Sequence, residues 1–172
     1  MNKKSQFTSV DFIFAVIVFS IILIALFYNW KTMADRVNHE KVVEDMSKIL
    51  DISSRSLIDS YGNPINWNNL SDLNLSSVNS IGLKLKTGEV STDKLDYLIS
   101  LNSTKYETIK KILGVQGPNY EFYFEIYIFN GTEYNINKTF GILNKSSEKI
   151  LSVQRNFILN NSWAKGRFYI SK

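Results

Sequence analysis

The residue types that most often carry catalysis or bind metals are scarce in this chain. Its 172 residues contain no cysteine and one histidine, His39. Thiolate ligands, disulfides and histidine clusters are therefore excluded, and neither metal catalysis nor Ser/His/Asp chemistry is expected. His39 lies between Asn38 and Glu40, a polar setting that predicts a solvated helix face. We expect no metal site and no cofactor.

Paired carboxylates are the remaining route to acid–base chemistry. Glu121 and Glu125 share one face of a predicted strand, but at about 3.3 Å per residue they lie about 13 Å apart, with no cleft indicated between them. An enzyme is therefore not expected. The net charge of +4 comes from basic residues scattered among acids, so the sequence does not predict nucleic-acid binding either.

Asp11 is the carboxylate whose position requires an explanation. It stands immediately before the apolar run Phe12 to Tyr28, which as a helix of about 17 residues would rise roughly 26 Å. With the flanking residues at the interfaces, that length crosses a hydrocarbon core of about 30 Å. An ionisable group at a membrane boundary is costly without a partner, so a group on a second molecule is one candidate.

The orientation of this predicted span follows from two lysines. Lys3 and Lys4 precede the apolar run and favour an N-terminus retained in the cytoplasm. The residues from Lys31 onward are then outside the cell, in a single-pass membrane protein. On hydropathy alone, an uncleaved signal anchor is an equally good interpretation.

The residues around Asp11 resemble a known processing site. The string of Phe7, Thr8, Ser9, Val10 and Asp11 before an apolar helix looks like the cleavage site of a type IV prepilin. It is similar in particular to archaeal class III signal peptides, which favour a Gln near the cut, a Ser two residues after the new N-terminus and an acid four residues after it. Here no Gly precedes the cut, and the acid is Asp rather than the usual Glu.

The resemblance implies a processing and assembly pathway. A membrane-embedded prepilin peptidase would remove the basic leader, residues 1–6, cutting between Gln6 and Phe7 or just before Gln6. The helix of residues 7–30 would then anchor the protein in membrane lipid before assembly. Asp11 would pair with the freed amine of Phe7 on a neighbouring subunit, either another copy or a related pilin-like protein.

Acceptor patterns for N-glycosylation recur along the chain. The pattern Asn-x-Ser/Thr, with x not Pro, occurs at Asn69, Asn74, Asn102, Asn130, Asn137, Asn144 and Asn160. All of these lie on the C-terminal side of the apolar run, which predicts an extracytoplasmic glycoprotein domain. A chain this rich in Asn, Ser and Thr also produces such patterns by chance.

A second helical pattern continues beyond the apolar run. Apolar residues recur at three- and four-residue steps to Ile58, and no Pro or Gly interrupts the chain until Gly62. Paired apolar positions such as Val42–Val43 and Ile49–Leu50 favour a helix packed on its own sheet. A parallel coiled coil, as in dimeric receptors, is the alternative.

A polar loop follows the long helix, with Trp67 as its one large anchor. The string Gly62 to Trp67, followed by Ser80 to Leu83, resembles a connector in archaeal exported pilin-like proteins. An ordinary turn-rich loop with a buried indole explains the same residues.

Two short helices are predicted between the loop and the sheet. A short strand over Ile81–Lys86 comes first. Ser91 or Thr92 then caps a helix that runs to Leu101. A capping box of Thr104 and Glu107 begins the second helix, which Gly114 ends.

In the C-terminal third, apolar residues recur at every second position, as they do in β-strands. Tyr120–Phe129 has one apolar face, Asn130–Gly131 is a strong hairpin signal, and a second hairpin turns at Asn160 and Asn161. The other face of the first strand carries Tyr123, Tyr127 and Phe129. We consider three roles for it: a subunit contact, a carbohydrate-stacking surface, or core packing against the Trp67 loop.

These elements together predict an α+β fold. A long N-terminal helix, with a membrane span continuing into an amphipathic half, packs on a C-terminal antiparallel β-meander, and two short helices lie between. The domains are a leader over residues 1–6, a transmembrane and assembly helix over 7–30 and an extracytoplasmic domain over 31–172.

Two functions remain open at this point. The first is a pilin-like subunit of an archaeal cell-surface filament, or of a related secretion or adhesion assembly, that polymerises through its apolar helix after leader cleavage. The second is a single-span, membrane-anchored extracellular binding or sensor domain that does not polymerise.

Overall fold

The computed structural model describes residues 3–69, 77–117 and 119–172, and the side chains from residue 10 onward within those ranges. The chain divides into two compact units, Met1–Val43 and Glu44–Lys172. Its helices are α1 (Lys3–Asp59), α2 (Thr92–Ser100) and α3 (Asn102–Ile112), with a 3-10 turn at Trp67–Asn69. Its strands are β1 (Lys84–Lys86), β2 (Glu89–Val90), β3 (Glu121–Phe129), β4 (Tyr134–Gly141), β5 (Ile150–Leu159) and β6 (Ser162–Ser171).

The first unit is the N-terminal part of α1. Among the described residues, α1 is the one helix long and apolar enough to cross a membrane, as the sequence predicts. Two of its hydroxyls bond within the helix: Ser20 donates to the Val16 carbonyl at 2.8 Å and Thr32 to the Tyr28 carbonyl at 2.9 Å. Such bonds reduce the cost of hydroxyls in an apolar environment.

The second unit has its core between the end of α1 and the sheet. Met46, Leu50 and Leu57 are at most 3% exposed on one side of the helix. Phe122 and Phe124 of β3 are fully buried on the sheet. The helix therefore packs on its own sheet, as the wide apolar stripe predicts.

The six strands form one mixed sheet in the order β1-β2-β5-β6-β3-β4. The pairs β3–β4, β5–β6 and β3–β6 are antiparallel, whereas β2 runs parallel to β5. The predicted α+β class is confirmed, and the structure refines the expected meander. A sequential meander would place β4 beside β5, but here β6 pairs with β3.

Burial explains why β6 and β3 are the inner two of the four long strands. Both carry continuous apolar inward faces, Phe122 and Phe124 on β3 and Phe168 and Ile170 on β6, all at most 1% exposed. Strand β4 is exposed at most positions before Lys138. A polar strand is better tolerated at a sheet edge, where one side meets solvent.

Both predicted hairpin turns are present. At the β3–β4 turn, the side-chain oxygen of Asn130 accepts hydrogen bonds from the backbone N–H groups of Thr132 and Glu133 at 3.0 and 2.9 Å. At the β5–β6 turn, Asn160 and Asn161 have φ values of 50° and 62°. That left-handed pair matches the twist of the flanking strands, and Asn tolerates it better than most residues.

The two short helices are present, with one boundary that differs. The Ser91 cap of α2 is confirmed, because its hydroxyl accepts from the Lys94 N–H at 3.4 Å. The predicted capping box of α3 is wrong: α3 begins at Asn102, before Thr104, and its N-cap Leu101 makes no side-chain bond. Asn102 instead accepts from the Gly141 N–H at 2.9 Å, a contact with β4 that local pattern cannot reveal.

The Trp67 loop closes on the end of α1. The Trp67 ring is fully buried and its Nε1–H donates to the Gly82 carbonyl at 2.9 Å. A β-carbon on Gly62 would lie 2.5 Å from the Trp67 ring, and one on Gly82 would lie 2.2 Å from the Ser60 carbonyl oxygen. The two strings of the connector pattern, Gly62–Trp67 and Ser80–Leu83, are therefore in contact, and both glycines are required by close approach.

Candidate functional site

The predicted processing and assembly residues all lie on α1. Gln6 and Phe7 fall within its backbone range, but their side chains are outside the described ones. Asp11 is exposed, and the large apolar side chains from Phe12 to Tyr28 are each at least 36% exposed. This stretch of α1 thus offers a continuous apolar surface that begins one residue after a carboxylate.

The apolar surface of α1 continues past the length of a membrane span. Leu26, Trp30, Met33 and Val37 follow at steps of four, three and four residues and line one shallow groove. Trp30 is 79% exposed and Met33 70% exposed. Spacing of this kind forms one stripe along a helix, which is the usual contact surface for a second helix.

A second candidate surface is the face of the sheet opposite α1. Along β3, Tyr123, Glu125 and Tyr127 alternate with the buried Phe122 and Phe124. Residues on this outer face were identified from the sequence only for β3. The same alternation in β6 places Trp163, Lys165, Arg167 and Tyr169 there, and that period-two pattern was the signal that could have found them.

Glu125 is the centre of a tyrosine cluster on this outer face. Its carboxylate accepts hydrogen bonds from the hydroxyls of Tyr127 at 2.5 Å, Tyr123 at 3.3 Å and Tyr169 at 3.4 Å. The rings of Tyr123 and Tyr169 lie 5.8 Å apart between centroids. The cluster joins neighbouring strands β3 and β6 through one carboxylate.

The carboxylate raises the pKa of two of these tyrosines. The hydrogen bond to Glu125, followed by burial, raises the pKa of Tyr127 to about 12. Burial, followed by the charge of Glu125, raises the pKa of Tyr123. Both hydroxyls therefore stay protonated at neutral pH and remain donors to the carboxylate.

Two cations lie beside this cluster, each over an aromatic ring. The Lys165 Nζ is 3.6 Å from the centroid of Tyr134, and the Arg167 guanidinium is 5.6 Å from that of Tyr127. These four residues and Gln154 line a depression of about 240 Å³. The strand register brings them together, because Tyr127 pairs with Lys165 and Gln154 with Arg167.

Among the described residues, Trp67 does not pack on this face, so the interpretation of the face as core against Trp67 is not supported. The Trp67 ring packs against Tyr97 of α2, with centroids 5.8 Å apart, and bonds to Gly82. The rings of Tyr127 and Tyr134 instead line the open depression. The described residues of this loop before Leu70 follow the end of α1, and Trp67 packs beside α2 on the helical side of the unit.

The carboxylates considered for acid–base work are in separate clusters. Glu121 accepts from the Tyr106 hydroxyl at 2.6 Å and lies 3.5 Å from the Lys110 ammonium, whereas Glu125 belongs to the tyrosine cluster. Across the described ranges, no three His, Cys, Asp or Glu side chains lie close enough to hold a metal ion.

The glycosylation candidates occupy different settings. Asn69, Asn130, Asn137, Asn144 and Asn160 are exposed, whereas Asn102 is half-buried. Asn130 and Asn144 each accept a hydrogen bond from the backbone N–H two residues on, at 3.0 and 3.1 Å. Asn74 lies outside the described residues. Whether any of them carries a glycan stays a prediction.

No family model, curated protein or solved structure matches this chain. The resemblance to archaeal prepilins therefore depends on the residues around the predicted cleavage site. What the structure adds is the coarser architecture, a long apolar N-terminal helix packed on a β-sheet.

Proposed function

We propose that this protein is a pilin-like subunit of an archaeal cell-surface filament or a related secretion or adhesion assembly. The observation that carries the proposal is α1, which is one helix from Lys3 to Asp59. It exposes apolar side chains over its first half and supplies core residues to a sheet over its last turns. A helix that serves both purposes connects a folded domain directly to an apolar contact surface.

The extent of the apolar surface favours assembly over simple anchoring. Leaving apolar surface in water costs about 25 cal/mol per Å² relative to burying it. The apolar side chains from Phe12 to Tyr28 therefore need lipid or other helices around them. A membrane span needs about 20 apolar residues. The stripe of Leu26, Trp30, Met33 and Val37 extends beyond that length, which supports a helix–helix contact outside the bilayer.

Asp11 has a specific role in this proposal. After a prepilin peptidase cuts between Gln6 and Phe7 or just before Gln6, the new terminal amine of one subunit pairs with Asp11 of its neighbour. The pair neutralises two charges that burial among apolar helices would otherwise penalise. Its fixed position near the helix start also sets the axial register between subunits.

The topology of the proposal is single-pass. The N-terminus is cytoplasmic before assembly, and the domain from residue 31 onward is extracellular. The exposure of Asn130 and Asn144 at surface turns supports this location, since acceptor asparagines for glycans belong on the exported side.

The second candidate is a single-span membrane-anchored binding or sensor domain that does not polymerise. The depression on the outer sheet face favours it, because a binding domain needs such a site. A dimer could then use the Leu26–Val37 stripe as a short parallel coiled coil.

Processing is tested first, by mass spectrometry of the N-terminus of protein isolated from its native membrane. We expect a mature chain that begins at Phe7 or Gln6. A retained Met1 would overturn the prepilin proposal and leave the anchored domain.

Assembly is tested with Asp11→Ala, using Asp35→Ala as a control on the same helix. We expect Asp11→Ala to be processed but to form no filaments in electron micrographs, whereas Asp35→Ala assembles like the wild type. Normal filaments from processed Asp11→Ala would show that Asp11 does not have the assigned role. Protein that is processed but never polymerises, even with Asp11 intact, would favour the second candidate.

A further inference from the structure

The depression on the outer sheet face is lined by polar and aromatic side chains that are not part of the core. Its walls are Tyr127, Tyr134, Gln154, Lys165 and Arg167, contributed by all four of the long strands. None of these residues is buried. Because they lie opposite the helix-packed face, their side chains can be replaced without opening the core.

The depression has an excess of positive charge. Neither Lys165 nor Arg167 makes an ion pair within the described ranges. The carboxylate across the strand pair from Arg167 is Glu125, and it already accepts three tyrosine hydroxyls. The depression therefore has two cations and one neighbouring carboxylate that is already hydrogen-bonded. This excess of positive charge favours an anionic ligand.

The two cations are held in place before any ligand arrives. Lys165 lies over Tyr134 and Arg167 over Tyr127. Contacts of this kind reduce the rotamer freedom that long cationic side chains lose on binding. A prearranged ammonium and guanidinium are a good match for a carboxylate.

The remaining lining suits a sugar ring. Gln154 supplies an exposed amide that can donate to and accept from sugar hydroxyls. The volume of about 240 Å³ is below the range of about 300–1,000 Å³ for drug-sized ligands, which indicates a single small unit.

An exposed tryptophan extends the site along β6. Trp163 lies two residues before Lys165 on the same face, about 7 Å away at strand spacing, and is 63% exposed. An exposed indole beside a charged depression is a platform on which a second ring of the same chain could stack.

We propose that this outer face binds an acidic polysaccharide, with the carboxylate of one uronic acid residue between Lys165 and Arg167 and a neighbouring sugar on Trp163. An acidic peptide fits less well. The site lies on the face of the sheet rather than at its edge, so a peptide could not bind by adding a strand.

The binding test uses the full chain in nanodiscs of zwitterionic lipid. Three probes are titrated by calorimetry: trigalacturonate, the neutral maltotriose, and inorganic phosphate as a competitor. We expect trigalacturonate to bind at least tenfold more tightly than maltotriose, with an affinity that falls as salt is raised. Equal binding of the two saccharides, no saccharide binding, or displacement by equimolar phosphate would overturn the proposal.

The residues are tested with Lys165→Gln/Arg167→Gln against the control Lys111→Gln/Lys145→Gln, which removes the same charge from exposed positions elsewhere. We expect at least a tenfold loss of trigalacturonate affinity in the first variant and less than a twofold change in the control. Equal losses in both would show that only net charge matters and would contradict the site.

A single substitution at an exposed residue tests the site even if the double variant does not fold. Trp163→Ala should weaken trigalacturonate binding several-fold with an unchanged melting temperature, and unchanged affinity would contradict the stacking role. A synthetic acidic peptide that binds more tightly than trigalacturonate would also overturn the proposal. None of these outcomes depends on filament assembly, so this inference and the proposed function can fail separately.

Discussion

Single residues on the outer sheet face carry charge interactions that titration can detect. The raised pKa of Tyr127, about 12, comes first from its hydrogen bond to Glu125. The protonated tyrosine therefore stabilises the native state fully below the unfolded pKa of about 10. That contribution is lost as the pH rises through 12.

The Tyr127 prediction is tested by absorbance at 295 nm during an alkaline titration of the folded protein. We expect Tyr127→Phe to remove a phenolate component near pH 12. Tyr61→Phe, on a different part of the unit and 40% exposed, should leave that component in place. A Tyr127→Phe titration with the component unchanged would show that the hydrogen bond to Glu125 is absent in solution.

Trp67 shows how much of a loop can depend on one side chain. The ring is fully buried and its N–H donates to the Gly82 carbonyl. We expect Trp67→Phe to lower the free energy of unfolding by about 1–3 kcal/mol, because a buried carbonyl loses its donor and a small cavity opens.

Trp163→Phe is the matched control for this change. Trp163 is 63% exposed, so the same chemical replacement should alter stability by about 0.5 kcal/mol or less. Denaturant unfolding of both variants in the same micelles gives the comparison. Similar losses for the two would mean that the Trp67 loop is not closed by its indole.

At the scale of elements, α1 and β5 are joined by an ion pair inside the second unit. Arg155 of β5 reaches Asp51 of α1 and also donates to the Ser54 hydroxyl at 3.3 Å. The hydrogen bond from Arg155 is the first cause of the lowered pKa of Asp51, with Arg55 adding to it. Helix-to-sheet packing here thus has a charged component at the rim of the apolar core.

This ion pair predicts acid sensitivity. Because the folded pKa of Asp51 is lowered from 3.8, the pair stabilises the native state above that value. Its contribution is lost as the pH falls through the lower folded value. We expect Asp51→Asn to be less stable at pH 7 and to lose less stability than the wild type between about pH 5 and pH 2.

Thermal unfolding across that pH range checks the acid prediction. Asp45→Asn, an exposed change of equal charge on the same helix, should keep the acid dependence of the wild type. Parallel pH profiles for Asp51→Asn and the wild type would contradict the role of the pair.

The elements also show where sequence reasoning succeeds. The hairpin turns at Asn130–Gly131 and Asn160–Asn161 and the Ser91 cap depend on a few adjacent residues, so local pattern was enough to find them. The start of α3 was missed because Asn102 bonds to Gly141, which is 39 positions away.

The strand order and the depression were missed for the same physical reason. Neighbouring strands are chosen by which apolar faces bury best, as with Phe124 of β3 beside Phe168 of β6. Pairing across the sheet then brought Gln154, Lys165 and Tyr127 together. A single strand gives no sign of such neighbours until the order is known.

At the scale of the whole molecule, the division after Val43 predicts where the chain can be cut. The second unit, Glu44–Lys172, includes the core residues of α1 from Met46 to Ile58 and all six strands. The first unit holds the apolar surface that needs lipid or other helices. Residues 44–172 should therefore fold alone as a water-soluble monomer with one cooperative unfolding transition.

A shorter fragment makes this prediction specific. Residues 60–172 lack Met46, Leu50 and Leu57, which are at most 3% exposed in the structure. Losing these side chains bares the inner face of the sheet, so we expect this fragment to aggregate or to unfold without cooperativity. Size-exclusion chromatography and circular dichroism distinguish the two fragments. If residues 60–172 folded as well as residues 44–172, the end of α1 would not be part of the core. The proposal that α1 connects the folded domain to an apolar contact surface would then be contradicted.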